Sequence, residues 1–128
     1  MAYTVMVVDD SETIRSIIER SFTMARLPVE KVVHAVNGND ALVKLREQWV
    51  DIVFSDIHMP EMDGIGLLKA MQADPELCAI PVIIVSTEGS ARRIEELKRM
   101  GIKGFLRKPF TPEKIKEIIV ATLGAWDE

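Results

Sequence analysis

Thr4-Val5-Met6-Val7-Val8-Asp9-Asp10 decides how the chain is read, because an apolar, mostly β-branched run passes directly into two adjacent carboxylates. A run of that length and composition reads as a strand covered on both faces. Similar runs recur at Lys31-Val32-Val33-His34-Ala35-Val36, Ile52-Val53-Phe54, Val82-Ile83-Ile84-Val85 and Gly104-Phe105-Leu106. Helical spacing fills the intervals. Ile14, Ile17, Ile18 and Phe22 recur at steps of three and four, as do Ala41, Leu42 and Leu45, then Leu67, Leu68 and Met71. Ile94 and Leu97 form a weaker pair, followed by Ile115, Ile118, Ile119 and Leu123. Asn37-Gly38-Asn39 is suited to turn the chain and cap the second helix, and Thr111-Pro112 to cap the fifth. Gly101 and Gly124 stand where the fourth and fifth helices should stop.

Five strands alternating with five helices predict an α/β domain with a five-stranded parallel sheet and helices on both faces. The strand order 2-1-3-4-5 is taken from the doubly wound, flavodoxin-like folds rather than dictated by the sequence. In such sheets ligands gather outside the carboxyl ends of the strands. The residues just past those ends are therefore the informative ones: Asp9 and Asp10, Asp56, Ser86 with Thr87, and Lys108. Neighbouring strands lie roughly 4.8 Å apart, so these groups would converge. Three carboxylates at one place repel, and a single lysine offsets only one charge. An all-oxygen cluster suits a hard divalent cation, and Mg2+ characteristically takes one or two carboxylates and keeps several waters. Serine and lysine beside it are the groups needed to hold phosphoryl oxygens, and a carboxylate can itself accept the phosphoryl group.

Composition narrows the field. The chain has 128 residues, of which 48% are hydrophobic and 28% charged, enough to bury one core without staples. A single cysteine, Cys78, excludes a disulfide framework and multi-cysteine zinc sites. No stretch reads as a secretory signal or membrane span, so a cytoplasmic location is expected. Residues 1–90 carry 7 Lys+Arg against 14 Asp+Glu, whereas residues 91–128 carry 9 against 6. An acidic chain is a poor nucleic-acid binder, but its basic last third suits an acidic protein partner or, equally, a solvated face.

Each site residue has a plain structural reading. Asp10 or Ser11 could cap the first helix, Asp56 could serve a turn before Pro60, and Ser86 could satisfy backbone at a strand end. Lys108 could lie in solvent. It is their joint placement at one sheet edge that a plain reading does not account for.

Val7-Val8-Asp9-Asp10, Asp56-Ile57-His58-Met59-Pro60-Glu61-Met62-Asp63-Gly64, Pro81-Val82-Ile83-Ile84-Val85-Ser86 and Lys108-Pro109-Phe110 together resemble a response-regulator receiver domain. Within that family the single-domain chemotaxis regulators are the nearest subtype. The resemblance spans essentially the whole chain, so residues 1–128 are read as one receiver domain. It implies that Asp56 accepts a phosphoryl group from a histidine kinase or phosphotransfer protein. It also implies that Asp10 and Asp56 ligate Mg2+ by their side chains, Asp9 through water and His58 through its backbone carbonyl. Ser86 and Lys108 would grip phosphoryl oxygens, and Lys108-Pro109 would be a cis peptide. Met59 to Gly64 would form the loop behind the acceptor, with Gly64 expected to take backbone angles closed to other residues.

The resemblance further implies a switch in which Ser86 moves and Phe105 follows, reporting through the fourth helix, fifth strand and fifth helix. Phe105 stands where the family often has tyrosine, so a hydroxyl-dependent contact is not expected there; packing as ordinary core is its other reading. Arg92, Arg93, Lys98, Arg99, Lys103, Arg107, Lys114 and Lys116 would make that output face basic. His58 and Thr87 would flank the path of attacking water. Thr87 is expected to slow hydrolysis by bulk, while His58 could position water or obstruct it. The chemistry is then self-phosphorylation and slow hydrolysis, on the border of what is called an enzyme. With no effector domain after the fifth helix, output is expected through protein–protein contact. Met1 fits a natural start, and Glu128 leaves open excision from a longer protein.

Three other readings fit less well. An aspartate-nucleophile phosphatase would need a second carboxylate two residues after Asp56, where His58 stands, and room for a cap domain. A phosphorylation-independent module would not need Asp10, Asp56, Ser86 and Lys108 together. A flavin-binding protein of the same fold would need a Ser/Thr/Gly-rich phosphate cradle. Elsewhere, His34 is expected at a satisfied core or rim position, Trp49 and Trp126 over core edges, and Cys78 in packing.

Overall fold

The computed structural model describes residues 2–87 and 90–124. Strands and helices alternate as β1 (Tyr3–Val8), α1 (Glu12–Met24), β2 (Val29–Ala35), α2 (Gly38–Glu47), β3 (Ile52–Ser55), α3 (Gly64–Gln72), β4 (Val82–Ser86), α4 (Ala91–Arg99), β5 (Gly104–Arg107) and α5 (Pro112–Leu123). The five strands are parallel, in the order β2-β1-β3-β4-β5. The doubly wound architecture is thus the expected one. Strand β1 lies between two partners, with Val5 to Val8 matched to Val32 to Ala35 on one side and to Ile52 to Ser55 on the other.

Alternation along the strands divides the interior in two. Val5, Val7, Phe54, Ile83 and Val85 face α1 and α5 and pack on Ile18, Phe22, Ile115 and Ile119. Met6, Val8, Val53 and Ile84 point the other way, onto Ala41 and Leu45 of α2, Leu67, Leu68 and Met71 of α3, and Leu97 of α4. The Phe22 and Phe54 rings meet at 5.5 Å with a 54° tilt, the inclined geometry aromatic pairs favour. Helix α4 differs from its neighbours: within Ala91–Arg99 only Leu97 is buried.

Local chemistry sets the helix starts. Ser11 caps α1 by accepting from the Ile14 N–H at 3.3 Å, which decides between Asp10 and Ser11. Asn37 accepts from Asp40 N–H at 2.9 Å and Thr111 from Lys114 N–H at 3.3 Å, with Pro112 opening α5. Gly101 and Gly124 take φ of +110° and +91° directly after their helices, where a side chain would be strained.

Four details depart from expectation. Ile17 continues the apolar spacing of α1 yet is 44% exposed. Trp49 is 68% exposed, because Val50 takes the core position beside it while the indole N–H donates to Asp51 Oδ1 at 2.8 Å. Cys78 is exposed, not packed. Strand β2 begins two residues early, at Val29, where an irregularity in the β1 pairing lets Tyr3 match it. His34 sits at the rim, receiving the Arg15 Nε–H on Nδ1 at 3.2 Å and facing Glu19 with Nε2. Trp126 lies outside the described residues. Among the described residues no helix is long and apolar enough to cross a membrane.

Candidate functional site

The central strands deliver the carboxylates. Asp56 extends the β3 ladder by donating its N–H to Val8 O at 3.0 Å, and Asp9 does the same toward Ala35 O at 3.1 Å. Both are therefore fixed by backbone at the carboxyl edge of the sheet. Asp9 is 2% exposed; its Oδ1 accepts from Ser11 N–H at 2.9 Å. Asp56 Oδ1 accepts from Ile57 N–H at 2.8 Å. Asp10, at the mouth, is exposed. One carboxylate oxygen from each of Asp9, Asp10 and Asp56 can be chosen so that all three lie within 4.8 Å of one another.

Lys108 arrives from the far side of the sheet. Its N–H donates to Ser86 O at 2.9 Å, which ties the end of β5 to the end of β4. The Lys108–Pro109 bond is cis, as the resemblance implied. Its Nζ lies 3.4 Å from Asp9 Oδ2 and 3.9 Å from Asp56 Oδ2, and the side chain is only 18% exposed. Ser86 is buried at the same edge, while His58 and Thr87 are exposed.

One ammonium among three carboxylates leaves a negative excess. Burial pushes the Asp56 carboxyl above its ordinary range, and Asp9 adds to the rise; Lys108, the Ile57 N–H and His58 pull the other way. The donor set is all oxygen, partly dehydrated and short of positive charge. Those properties fit a hard divalent cation bound by carboxylates.

In the loop after Asp56, Gly64 has a different reason from the expected one. Its φ is not among the positive ones; instead a Cβ there would stand 2.2 Å from the Asp56 carbonyl oxygen. The close approach lets Gly64 N–H donate to Ile57 O at 2.8 Å. Within that loop it is Glu61 that takes the left-handed backbone, at φ +69°. Arg15 is a contributor that periodicity did not single out. Its Nη1 donates to the Asp9 carbonyl at 2.6 Å, a bond visible in sequence only as an arginine six residues beyond an acid.

Phe105, matched to Ile84 in the ladder, is partly buried against the α4 side of the core. It also lines a groove of about 710 Å³ with Ile94, Lys98, Lys103, Lys114 and Ile118.

Comparison with known proteins agrees with this geometry. Residues 5–120 match the response regulator receiver domain family. The chain belongs to that family. It is 37% identical over 123 residues to the chemotaxis protein CheY1 of Helicobacter pylori, covering 95% of this chain and 98% of that protein. Among solved structures, the chemotaxis protein CheY4 of Vibrio cholerae superposes with a TM-score of 0.83 at 30% identity, covering 95% of this chain and 99% of that one. CheY of Borrelia burgdorferi, solved in a complex with CheX, BeF3 and Mg2+, gives 0.81 at 27% identity, covering 94% and 89%. This receiver domain is of the CheY type and belongs to two-component signalling.

The raised carboxyl of Asp56 has a measurable consequence. A carboxylate whose folded-state pKa lies above its unfolded value destabilises the native state when ionised, and acid relieves that penalty. Asp56→Asn should therefore raise the urea midpoint of the divalent-free protein at pH 7. The advantage should shrink as pH falls through the folded-state pKa of Asp56. An unchanged or lower midpoint at pH 7 would show that Asp56 is not electrostatically strained.

Proposed function

We propose that this chain is a Mg2+-dependent phosphoacceptor switch, with Asp56 receiving a phosphoryl group from the phosphohistidine of a histidine kinase or phosphotransfer protein. The observation that carries this reading is the convergence of Asp9, Asp10, Asp56 and Lys108 at one sheet edge, although Lys108 and Asp9 stand 99 residues apart. In the transfer, an Asp56 carboxylate oxygen bonds to phosphorus as the phosphohistidine N–P bond breaks. The imidazole leaves with the bonding pair and takes up a proton. Lys108 Nζ pairs with one phosphoryl oxygen, and the Ser86 hydroxyl donates to another.

Asp10 and Asp56 would hold the cation with their side chains, Asp9 through water, and His58 with its backbone carbonyl. Bound there, Mg2+ would supply positive charge to offset the carboxylate and phosphoryl oxygens. The names of the relatives favour a role in chemotaxis or motility, and the Borrelia burgdorferi complex supports a Mg2+-dependent phosphoryl-like state. A cytoplasmic location and a single receiver domain over residues 1–128 belong to the same reading.

Output is assigned to the α4-β5-α5 face. Movement of Ser86 toward the phosphoryl group opens space into which Phe105 turns, altering the basic groove and its affinity for an acidic protein partner. Exposed His58 and Thr87 flank the water path that returns Asp56 to its resting state.

Three outcomes are expected. A small phosphodonor with Mg2+ should add one phosphoryl group to the intact mass, and Asp56→Asn should abolish it; addition to the variant at the same rate would sink the assignment. Thr87→Ala should shed the phosphoryl group several-fold faster, and an unaltered decay would remove the steric role of Thr87. With beryllofluoride and Mg2+, NMR amide signals of Ala91–Arg99 and Gly104–Arg107 should shift together. Shifts confined to residues around Asp56 would contradict the switch.

A further inference from the structure

Two loops at the edge of the acidic pocket are braced against each other by a pair of side chains with no place in the phosphoryl chemistry. Asn37, after β2, is 8% exposed and uses both ends of its amide. Its Oδ1 accepts from Asp40 N–H at 2.9 Å, capping α2, while its Nδ2 donates to Glu61 Oε2 at 2.9 Å. Glu61 lies in the segment joining Asp56 to α3, at φ +69°, a region that residues other than Gly, Asn and Asp rarely enter. Alongside, Gly38 N–H donates to Met62 O at 2.9 Å. The fit is close, since a Cβ on Gly38 would stand 2.5 Å from Met62 Cγ.

The segment from Ile57 to Gly64 is therefore held at three places: at its start by Gly64 N–H on Ile57 O, and at its tip by Gly38 on Met62 O and Asn37 on Glu61. His58 lies between the first and the others. We infer that the Asn37–Glu61 hydrogen bond is a positioning latch. It holds in place the loop whose first residue, Ile57, donates its N–H to Asp56 Oδ1 at 2.8 Å, and so sets Mg2+ affinity from outside the ligand set. The inference rests on the reading of Asp9, Asp10 and Asp56 as a Mg2+ site. Backbone strain at Glu61 gives the latch its purpose: without a partner for its carboxylate the tip relaxes, and the loop back to Ile57 relaxes with it.

Charge alone makes the opposite forecast, which allows a clean test. Asn37→Asp keeps the helix cap but removes the donor and adds a negative charge; simple electrostatics would tighten Mg2+ binding. Glu61→Gln keeps an acceptor for Asn37 but removes a negative charge; simple electrostatics would weaken binding. The latch predicts that Asn37→Asp and Glu61→Ala weaken Mg2+ about tenfold, in line with the loss of groups that orient metal ligands. Glu61→Gln should stay within about twofold of the parent, and the double variant Asn37→Asp/Glu61→Gln, which reverses the bond at constant net charge, should recover to about the same level.

The experiment is calorimetric titration of the full chain and the four variants with MgCl2, with urea midpoints measured in parallel. Affinities ranked by charge would overturn the inference, as would a double variant no tighter than Asn37→Asp. Midpoints that fall while affinities hold would show a purely structural brace and overturn it too. In each of these cases the parent still binds Mg2+, and the pocket assignment stands. A parent that takes up no Mg2+ would overturn both.

Discussion

Parallel pairing of β1 with β3 places two carboxylates side by side where elementary electrostatics would keep them apart. Asp56 N–H on Val8 O and Asp9 N–H on Ala35 O are ladder bonds, so neither residue can retreat without breaking the register of a strand covered on both faces. Val5 to Val8 are all nearly inaccessible, and they hold that register through two separate cores. The apolar interior thus keeps a charged arrangement in place. Lys108, brought in through the end of β4, balances only part of it, and burial, with Asp9 adding to it, still pushes the Asp56 carboxyl upward.

Much of this was legible in the chain because strand ends in a doubly wound sheet are marked by composition. Val-rich runs stop abruptly at Asp9, Asp56 and Ser86, and the topology carries those stops to one edge. Helix caps at Asn37 and Thr111 were equally readable, since short-range hydrogen bonding decides them. The strand order was supplied by likeness to known folds, because periodicity does not say which strand lies beside which.

What escaped the sequence depends on contacts between segments. Ile17 keeps the helical spacing of α1 but falls at the rim, and Trp49 is displaced from the core by its neighbour Val50. Gly64 is special for a reason other than its backbone angles: the Asp56 carbonyl occupies the space a Cβ would need, which no local pattern reveals. Arg15 on the Asp9 carbonyl and Asn37 on Glu61 bridge positions that only the folded chain brings together. The roles proposed for Ser86, Phe105, His58 and Thr87 rest on family likeness and on position at the sheet edge, not on a contact legible in the chain.

Helix α4 gives the architecture a graded stiffness. Its neighbour α3 buries Leu67, Leu68 and Met71 and α5 buries Ile115 and Ile119, but α4 is moored by Leu97, with Ile94 and the capping Met100 only partly covered. With one buried leucine, α4 has less apolar contact with the interior to lose than the helices beside it. Under the proposed output role, substitutions at the solvent-facing positions of α4 would change the partner contact without touching the strand ends.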